Sequence, residues 1–500
     1  MLKLLKSSTK DTIIYSIGTF SSRLVSLILI PLYTSRFSLA DYGIMGIAEI
    51  TIQLLTAFVG IGLFNGLFRW YWDEDYKNVQ KSIFYSILLL VILSGTVISV
   101  PFFIFSTSIS DILFNSTNYA YLVKLVIVVG SLESLIIVTS TLLRLRQKSI
   151  FYSLLSLLKL SVSLILNIYF IVYQNKGITA VYESQIIACI IYLLAISGYT
   201  IKNIRIKFEY KIIKDIILFC LPLLLTAIAG ISLSVADRFI LKHLSSLDNV
   251  GIYTLGYKLS NTLRVFVITS VNLAISPIIY KIINQPGNKR FYSKIMTYYT
   301  FGLLFFVLFF SVFSKELIAV MSKNDDYNIA YKIVPLISYG LLFSMLRDVS
   351  LIGINIMKKT RITAITLFLI ASISIMLNFI LIPRFSFYGS AFSMILSNIF
   401  YFLVILYFAQ KYYPIPYELK KVFLMIVISL GIYFGSLLIK TGINYLDYFL
   451  KILLILSFPF ILYLFSFYEE IEKQRIGEFW NKWKNPLNWK KNLDAYFKKQ

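Results

Sequence analysis

Charge is scarce in this chain. Aspartate, glutamate, lysine and arginine make up 14% of its 500 residues, where a soluble globular chain carries about 25%. That deficit argues against a soluble enzyme. Histidine occurs once, at His243, and cysteine twice, at Cys189 and Cys220, each inside an apolar run. A histidine-based metal centre is excluded, and neither a disulfide framework nor a cysteine metal site follows from the two thiols. Acidic residues are scarcer than basic ones, 24 against 48, for a net charge of +24. On a soluble protein that excess would point to nucleic acid. In a chain that is 58% hydrophobic, it points to Lys and Arg gathered in the loops on one face of a membrane.

What the chain has in abundance is long apolar runs. A helix that spans a bilayer needs roughly 20 predominantly apolar residues. About fourteen such runs can be drawn, near 12–35, 43–68, 82–105, 120–142, 151–173, 178–200, 215–237, 251–280, 297–320, 330–356, 362–383, 388–409, 421–440 and 446–467. The connections are too short to hold a soluble domain. The first run is too long for a cleavable leader, carries Arg23 at its middle, and lacks a small-residue cleavage site. The expected fold is therefore an all-α polytopic membrane protein.

Loop cations orient it. With the N-terminus in the cytoplasm, one inner connection collects Lys202, Arg205, Lys207, Lys211 and Lys214, while the next outer one has only Arg238 and Lys242. The other connections repeat this bias, which places both termini in the cytoplasm. All five tryptophans, Trp70, Trp72, Trp480, Trp483 and Trp489, fall in segments assigned to that side. The tail 468–500 mixes such aromatics with lysines and reads as an amphipathic segment on anionic lipid.

The chain repeats itself. Leu39-Ala40-Asp41-Tyr42-Gly43-Ile44 is echoed by Leu247-Asp248-Asn249-Val250-Gly251-Ile252, and Leu166-Asn167 by Leu377-Asn378. The spacing is about 210 residues, with six spans between equivalents. Both copies start on the same side, so the repeat is parallel. The expected organisation is a first lobe over 1–205, a second over 206–412, two further spans within 413–467, and the tail. In transporters built this way the cargo lies between two rocking lobes.

Several stretches carry a family resemblance. Pro31-Leu32-Tyr33-Thr34-Ser35-Arg36 followed by Asp41-Tyr42-Gly43 resembles the end of span one in polysaccharide repeat-unit flippases of the O-antigen type. These form part of the multidrug/oligosaccharidyl-lipid/polysaccharide (MOP) exporter superfamily. Leu221-Pro222-Leu223, Asp237-Arg238-Phe239 and Val250-Gly251-Ile252-Tyr253 are similar to the span-seven signature. Leu377-Asn378, Ile382-Pro383-Arg384 and Gly389-Ser390-Ala391 resemble the span-eleven turn. The resemblance implies a transporter rather than an enzyme. Its cargo would be a polyprenyl-diphosphate-linked oligosaccharide, carried to the outer leaflet of the bacterial inner membrane. It further implies membrane lipids and polysaccharide polymerase or assembly proteins as partners, and no nucleic acid.

Charges inside spans cost about 2.5–3.5 kcal/mol each at a helix centre, so they mark function or pairing. In span one, Thr12, Ser16, Thr19, Arg23 and Ser26 share one helical face; in span eight, Lys258, Thr262, Thr269 and Asn272 do; in span five, Ser156, Lys159 and Ser163. Arg23, Lys258, Lys159, Arg264 and Arg347 are the candidate diphosphate ligands, because Arg grips phosphate bidentately and Lys acts as a point charge. Glu49 and Glu133 are candidates for binding a coupling proton or sodium ion, or for pairing with a nearby cation. Asp237 and Arg238 are an outer-gate candidate or a helix-end charge pair. No cofactor or metal is expected. A multidrug exporter typically carries an acid in span one or seven, and span one here has Arg23 and no Asp or Glu after Asp11. Such an exporter and a peptidoglycan-precursor flippase remain the alternatives.

Overall fold

The computed structural model describes residues 27–483 and contains helices and no strand among them. Arg23, the rest of the polar stripe 12–23, Ser26 and the tail beyond Trp483 lie outside the described residues. The long helices are α1 (Leu39–Gly60), α2 (Gln80–Ile104), α3 (Ala120–Leu145), α4 (Ser149–Ile168), α5 (Thr179–Lys202), α6 (Tyr210–Leu244), α7 (Leu247–Leu263), α8 (Asn288–Val312), α9 (Val334–Ile356), α10 (Thr360–Phe385), α11 (Phe387–Tyr412), α12 (Leu419–Ser436) and α13 (Asn444–Leu464), followed by α14 (Glu470–Trp483). Twelve helices among the described residues are long and apolar enough to cross a membrane. The run expected at 251–280 is also helical, but it is interrupted: α7 widens into a π-helical stretch over Arg264–Thr269 before continuing as Ser270–Lys281. Thr269 Oγ1 caps that widening by donating to the Arg264 carbonyl at 2.9 Å.

Two expected spans stop early, the first for a backbone reason. Residues Ile61 and Gly62 both have positive φ, 48° and 67°, so α1 ends at Gly60 and a short helix restarts at Leu63. Helix α8 begins before the expected boundary and ends at Val312, where a separate helix, Ser314–Met321, takes over. Apolar side chains such as Val97, Ile104, Ile165 and Leu194 point outward, as they must where lipid is the solvent. By contrast α1, α3 and α9 are mostly enclosed by other helices.

The chain forms two compact units, 27–288 with 314–415, and 289–313 with 416–483. In the first, the repeat is visible in local chemistry. Ser38 caps α1 by accepting from the Asp41 amide, with the Asp41 carboxylate accepting from Ser38 in return. Ser246 caps α7 by accepting from the Asn249 amide, the equivalent pair. Asn167 and Asn378 each donate Nδ2 to a carbonyl one turn back, that of Ser163 or Ser374, at 2.8 Å.

Where α1 and α7 cross, the backbones touch. A Cβ on Gly43 would overlap the Leu247 carbonyl oxygen, and a Cβ on Gly251 would overlap that of Leu39. The contact is reciprocal: each copy of the repeat places its glycine on the other copy's helix start. A Cβ on Gly46 would meet Thr254, its own repeat equivalent. Locally, therefore, the contact between α1 and α7 is close to two-fold symmetric.

The second unit is tied by aromatic stacking, Phe301 on Phe458 at 5.7 Å between centroids, and by an ionic cluster. Lys294 bonds Glu469 at 2.6 Å and Glu418 at 3.0 Å, Lys421 bonds Glu418 at 3.1 Å, and Thr297 donates to Glu418 at 2.7 Å. The Tyr298 hydroxyl bonds Glu472 in α14. Burial pushes the Glu418 carboxyl up, but the donors Thr297, Lys294 and Lys421 outweigh it and hold it at about 2.

Candidate functional site: a polar cavity with two ion pairs

The first unit holds a partly open cavity of about 460 Å³ between α1, α3, α4, α5 and α7, with Tyr33 in its lining. The serine–lysine stripe of α4 faces it: Ser156, Lys159 and Ser163 all line the wall. Helix α7 contributes Lys258, and α1 and α3 contribute Glu49 and Glu133. Lys159 Nζ lies 2.5 Å from Glu133 Oε1 and Lys258 Nζ lies 2.6 Å from Glu49 Oε1. Each candidate cation is therefore held by a candidate carboxylate. The pairs are about one-fifth to two-fifths exposed to the cavity, so water reaches them and desolvation is partial.

The two pairs differ in what they join. Glu133 and Lys159 sit on helices of one repeat copy, and the same Glu133 oxygen also accepts from Gln185 at 3.3 Å and lies 3.7 Å from Cys189 Sγ. Glu49 and Lys258 belong to different copies. Lys258 Nζ also sits 5.2 Å from the Tyr42 ring centre, a cation–π contact. At one end the Tyr33 hydroxyl donates to Asn167 Oδ1 at 3.0 Å.

A second cavity of about 560 Å³ adjoins the first. Gln53, Thr56, Asn65 and Ser134 give it a polar side, Leu223, Leu224, Ala227 and Ile231 an apolar one. Glu133, Ile137 and Gln185 line both cavities and form the partition.

The remaining charged candidates lie elsewhere. Arg264 and Arg347 converge on one hydroxyl: Ser344 Oγ accepts from Arg264 Nη2 at 2.8 Å and from Arg347 Nη2 at 3.2 Å. Arg347 also bonds Asp348 at 2.6 Å and lies over the Tyr401 ring at 4.6 Å. Neither arginine lines the first cavity. Asp237 and Arg238 are buried before the end of α6. Tyr253 donates to Asp237 at 2.5 Å, and the Arg238 guanidinium lies 4.2 Å from the centre of the Tyr257 ring, with its Nε left without a hydrogen bond. His243 is an exposed residue in the last turn of α6. Among the described residues no group of three or more His, Cys, Asp or Glu is placed to hold a metal ion.

Sequence patterning passed over the cavity's uncharged polar groups, Tyr33, Tyr152, Gln185 and Tyr192. Tyr33 does stand inside the Pro31–Arg36 motif; Gln185 carries no local signal.

A family model described as polysaccharide biosynthesis protein matches residues 36–325, which include all of the cavity lining but Leu29 and Tyr33 and both halves of the α1–α7 crossing. The chain belongs to this polysaccharide biosynthesis family. The family member's fold is shared with solved transporters. The lipid II flippase MurJ, in an inward closed conformation, superposes with a TM-score of 0.75 at 16% identity, covering 91% of this chain and 100% of its own. An inward-facing multidrug resistance MATE family transporter of the MOP superfamily gives 0.61 at 15% identity, over 79% and 94%. A MOP superfamily transporter from Pyrococcus furiosus gives 0.56 at 13% identity, over 81% and 95%. No curated protein matches the chain by sequence. The polysaccharide biosynthesis family member is thus a multi-pass membrane protein with the fold of MOP superfamily transporters.

Proposed function

We propose that this protein flips a polyprenyl-diphosphate-linked oligosaccharide repeat unit from the inner to the outer leaflet of the bacterial plasma membrane, for surface polysaccharide synthesis. The observation that carries the reading is the cavity. It combines two lysines with hydroxyls and amides from Tyr33, Tyr152, Ser156, Ser163, Asn167 and Gln185, which suits an anionic head bearing a glycan. The apolar tail of such a cargo stays in lipid. The two repeat copies, 1–205 and 206–412, act as lobes that rock to open the cavity to each side in turn, with both termini in the cytoplasm. Lys159 and Lys258 meet the diphosphate, joined by Arg23 from span one. Arg264 and Arg347, which share Ser344 outside this cavity, would meet the diphosphate at another point on its route. Glu133, reachable from both cavities, is the group best placed to carry a coupling proton or sodium ion.

A multidrug exporter is the second reading, favoured by Glu49 and Glu133 in the same cavity, since carboxylates attract cationic drugs. Deleting the gene separates the two. Loss of surface polysaccharide, with the lipid-linked unit accumulating in the membrane, supports the flippase. Unchanged polysaccharide with altered drug sensitivity supports the exporter.

A further inference from the structure

The Glu49–Lys258 pair bridges the two repeat copies just beyond the point where those copies come closest. At Gly43 and Gly251 the backbones of α1 and α7 are in contact, so the helices can change their crossing angle there but cannot close further. Glu49 lies six residues beyond Gly43 and Lys258 seven beyond Gly251, about 9–10 Å from the crossing at 1.5 Å per residue. A change of about 20° in crossing angle, within the ordinary scatter of helix packing, moves the two side chains apart by about 3 Å. The pair is closed at 2.6 Å here, so such a change opens it. The Glu133–Lys159 pair has no such lever, because both of its helices belong to one copy.

Lys258 keeps a place to sit when Glu49 leaves, because its ammonium also rests over the Tyr42 ring. It then presents an unpaired charge to the cavity. The Glu49 carboxylate and a phosphate oxygen are alternative anions for the same ammonium, and the crossing angle decides which one reaches it.

We propose that Glu49 is the anion that expels the cargo diphosphate from Lys258. In one arrangement of the lobes the pair is open and Lys258 holds the diphosphate; in the other Glu49 swings back, takes Lys258, and the cargo is released. The ligand class is a diphosphate, and the inference rests on the flippase reading above. Removing the Glu49 charge then has opposite effects on binding and on transport. An ion pair that served stability alone would produce no such split.

The test uses the full chain in lipid nanodiscs, with farnesyl diphosphate as the lipid probe and inorganic pyrophosphate as the head-group probe. Glu49→Gln should bind farnesyl diphosphate about tenfold more tightly than wild type, while surface polysaccharide in cells carrying it falls to a small fraction of normal. Pyrophosphate should show the same ratio between variants, because the exchange occurs at the head group. Glu49→Asp, which keeps the charge but withdraws it by a methylene, should tighten binding by a smaller factor; it also keeps the test open if the glutamine variant does not accumulate. Adding Lys258→Ala should abolish the gain. If wild type prefers farnesyl diphosphate over farnesol, yet neither Glu49 variant binds more tightly or the glutamine variant exports normally, the release role is overturned and the flippase reading stands. If neither wild type nor variants prefer farnesyl diphosphate over farnesol, the flippase reading itself fails, and this inference with it.

Discussion

Gly43→Ala tests the crossing of α1 and α7 directly. The added methyl group meets the Leu247 carbonyl oxygen, a backbone atom that cannot rotate aside. The helices must part, and a gap of about 0.5–1 Å already forfeits a quarter to a half of the dispersion energy of each contact at the interface. Overpacking of this kind costs about 1–3 kcal/mol, and a backbone obstacle puts it at the upper end. Alanine recovers roughly 1 kcal/mol through its better helix propensity, leaving a net loss of about 2 kcal/mol. Gly251→Ala meets the Leu39 carbonyl in the mirror arrangement and should cost the same. Because one parting of the helices relieves both clashes, the double variant should lose little more than either single one, far from the additive sum of about 4 kcal/mol expected of independent sites. Gly198→Ala is the control: nothing lies within 4 Å of its added methyl, so it should be neutral or stabilising by up to about 1 kcal/mol. The assay is thermal unfolding of purified protein followed with a thiol-reactive dye, since Cys189 and Cys220 are both buried until the fold opens. Additive losses in the double variant, or a Gly43→Ala protein as stable as the Gly198 control, would refute the reciprocal contact.

Three further outcomes are expected. Lys159→Met leaves Glu133 with only Gln185 and Cys189 among its described partners, so membrane abundance should drop, and adding Glu133→Gln should restore it; a double variant as scarce as the single would argue against the pair. The Glu418 carboxyl is held at about 2, below the ordinary carboxylate value, so its ionised form stabilises the second unit above pH ~4.5, and that contribution is lost as pH falls toward 2. Thermal stability followed at successive pH values should be level from pH 7 to about 5 and then decline, with a shallower decline in Glu418→Gln. In a background lacking both native cysteines, a cysteine replacing exposed Ser108 should react with an impermeant thiol reagent in intact cells, whereas one replacing Ile206, 84% exposed, should react only after lysis; the reverse pattern would invert the topology.

How much was readable beforehand follows from how local each cause is. Spans are legible because lipid demands a long apolar run whatever its neighbours are. The α4 stripe was legible for the same reason, since spacings of three and four put Ser156, Lys159 and Ser163 on one face, and all three line the cavity. The repeat was legible in Gly43 and Gly251, but not the fact that these two glycines touch each other. Partners were hidden because they depend on which helices become neighbours: Glu133 precedes Lys159 by a whole connection, and Glu49 is separated from Lys258 by most of the first copy. The helical period does set Arg264 apart from Lys258, but only the fold supplies Ser344 on α9 as its partner. The break at Ile61 and Gly62 was invisible to hydropathy, since left-handed backbone leaves no mark on an apolar profile.

The matching of lysine to glutamate in the cavity has an electrical consequence. Among the described lining residues Lys159 and Lys258 are balanced by Glu133 and Glu49, so these four groups together contribute no net charge when the cavity changes sides. In the proposed role, the charge that crosses is then that of the cargo and of any coupling ion that Glu133 carries. Moving one elementary charge through a membrane potential is worth about 2.3 kcal/mol per 100 mV. A dianionic diphosphate travelling outward from a negative interior therefore gains roughly 4–5 kcal/mol per 100 mV. That is enough to favour the outer leaflet by more than a thousandfold, and it makes transport voltage-dependent in proportion to the phosphate charge that the lipid carries.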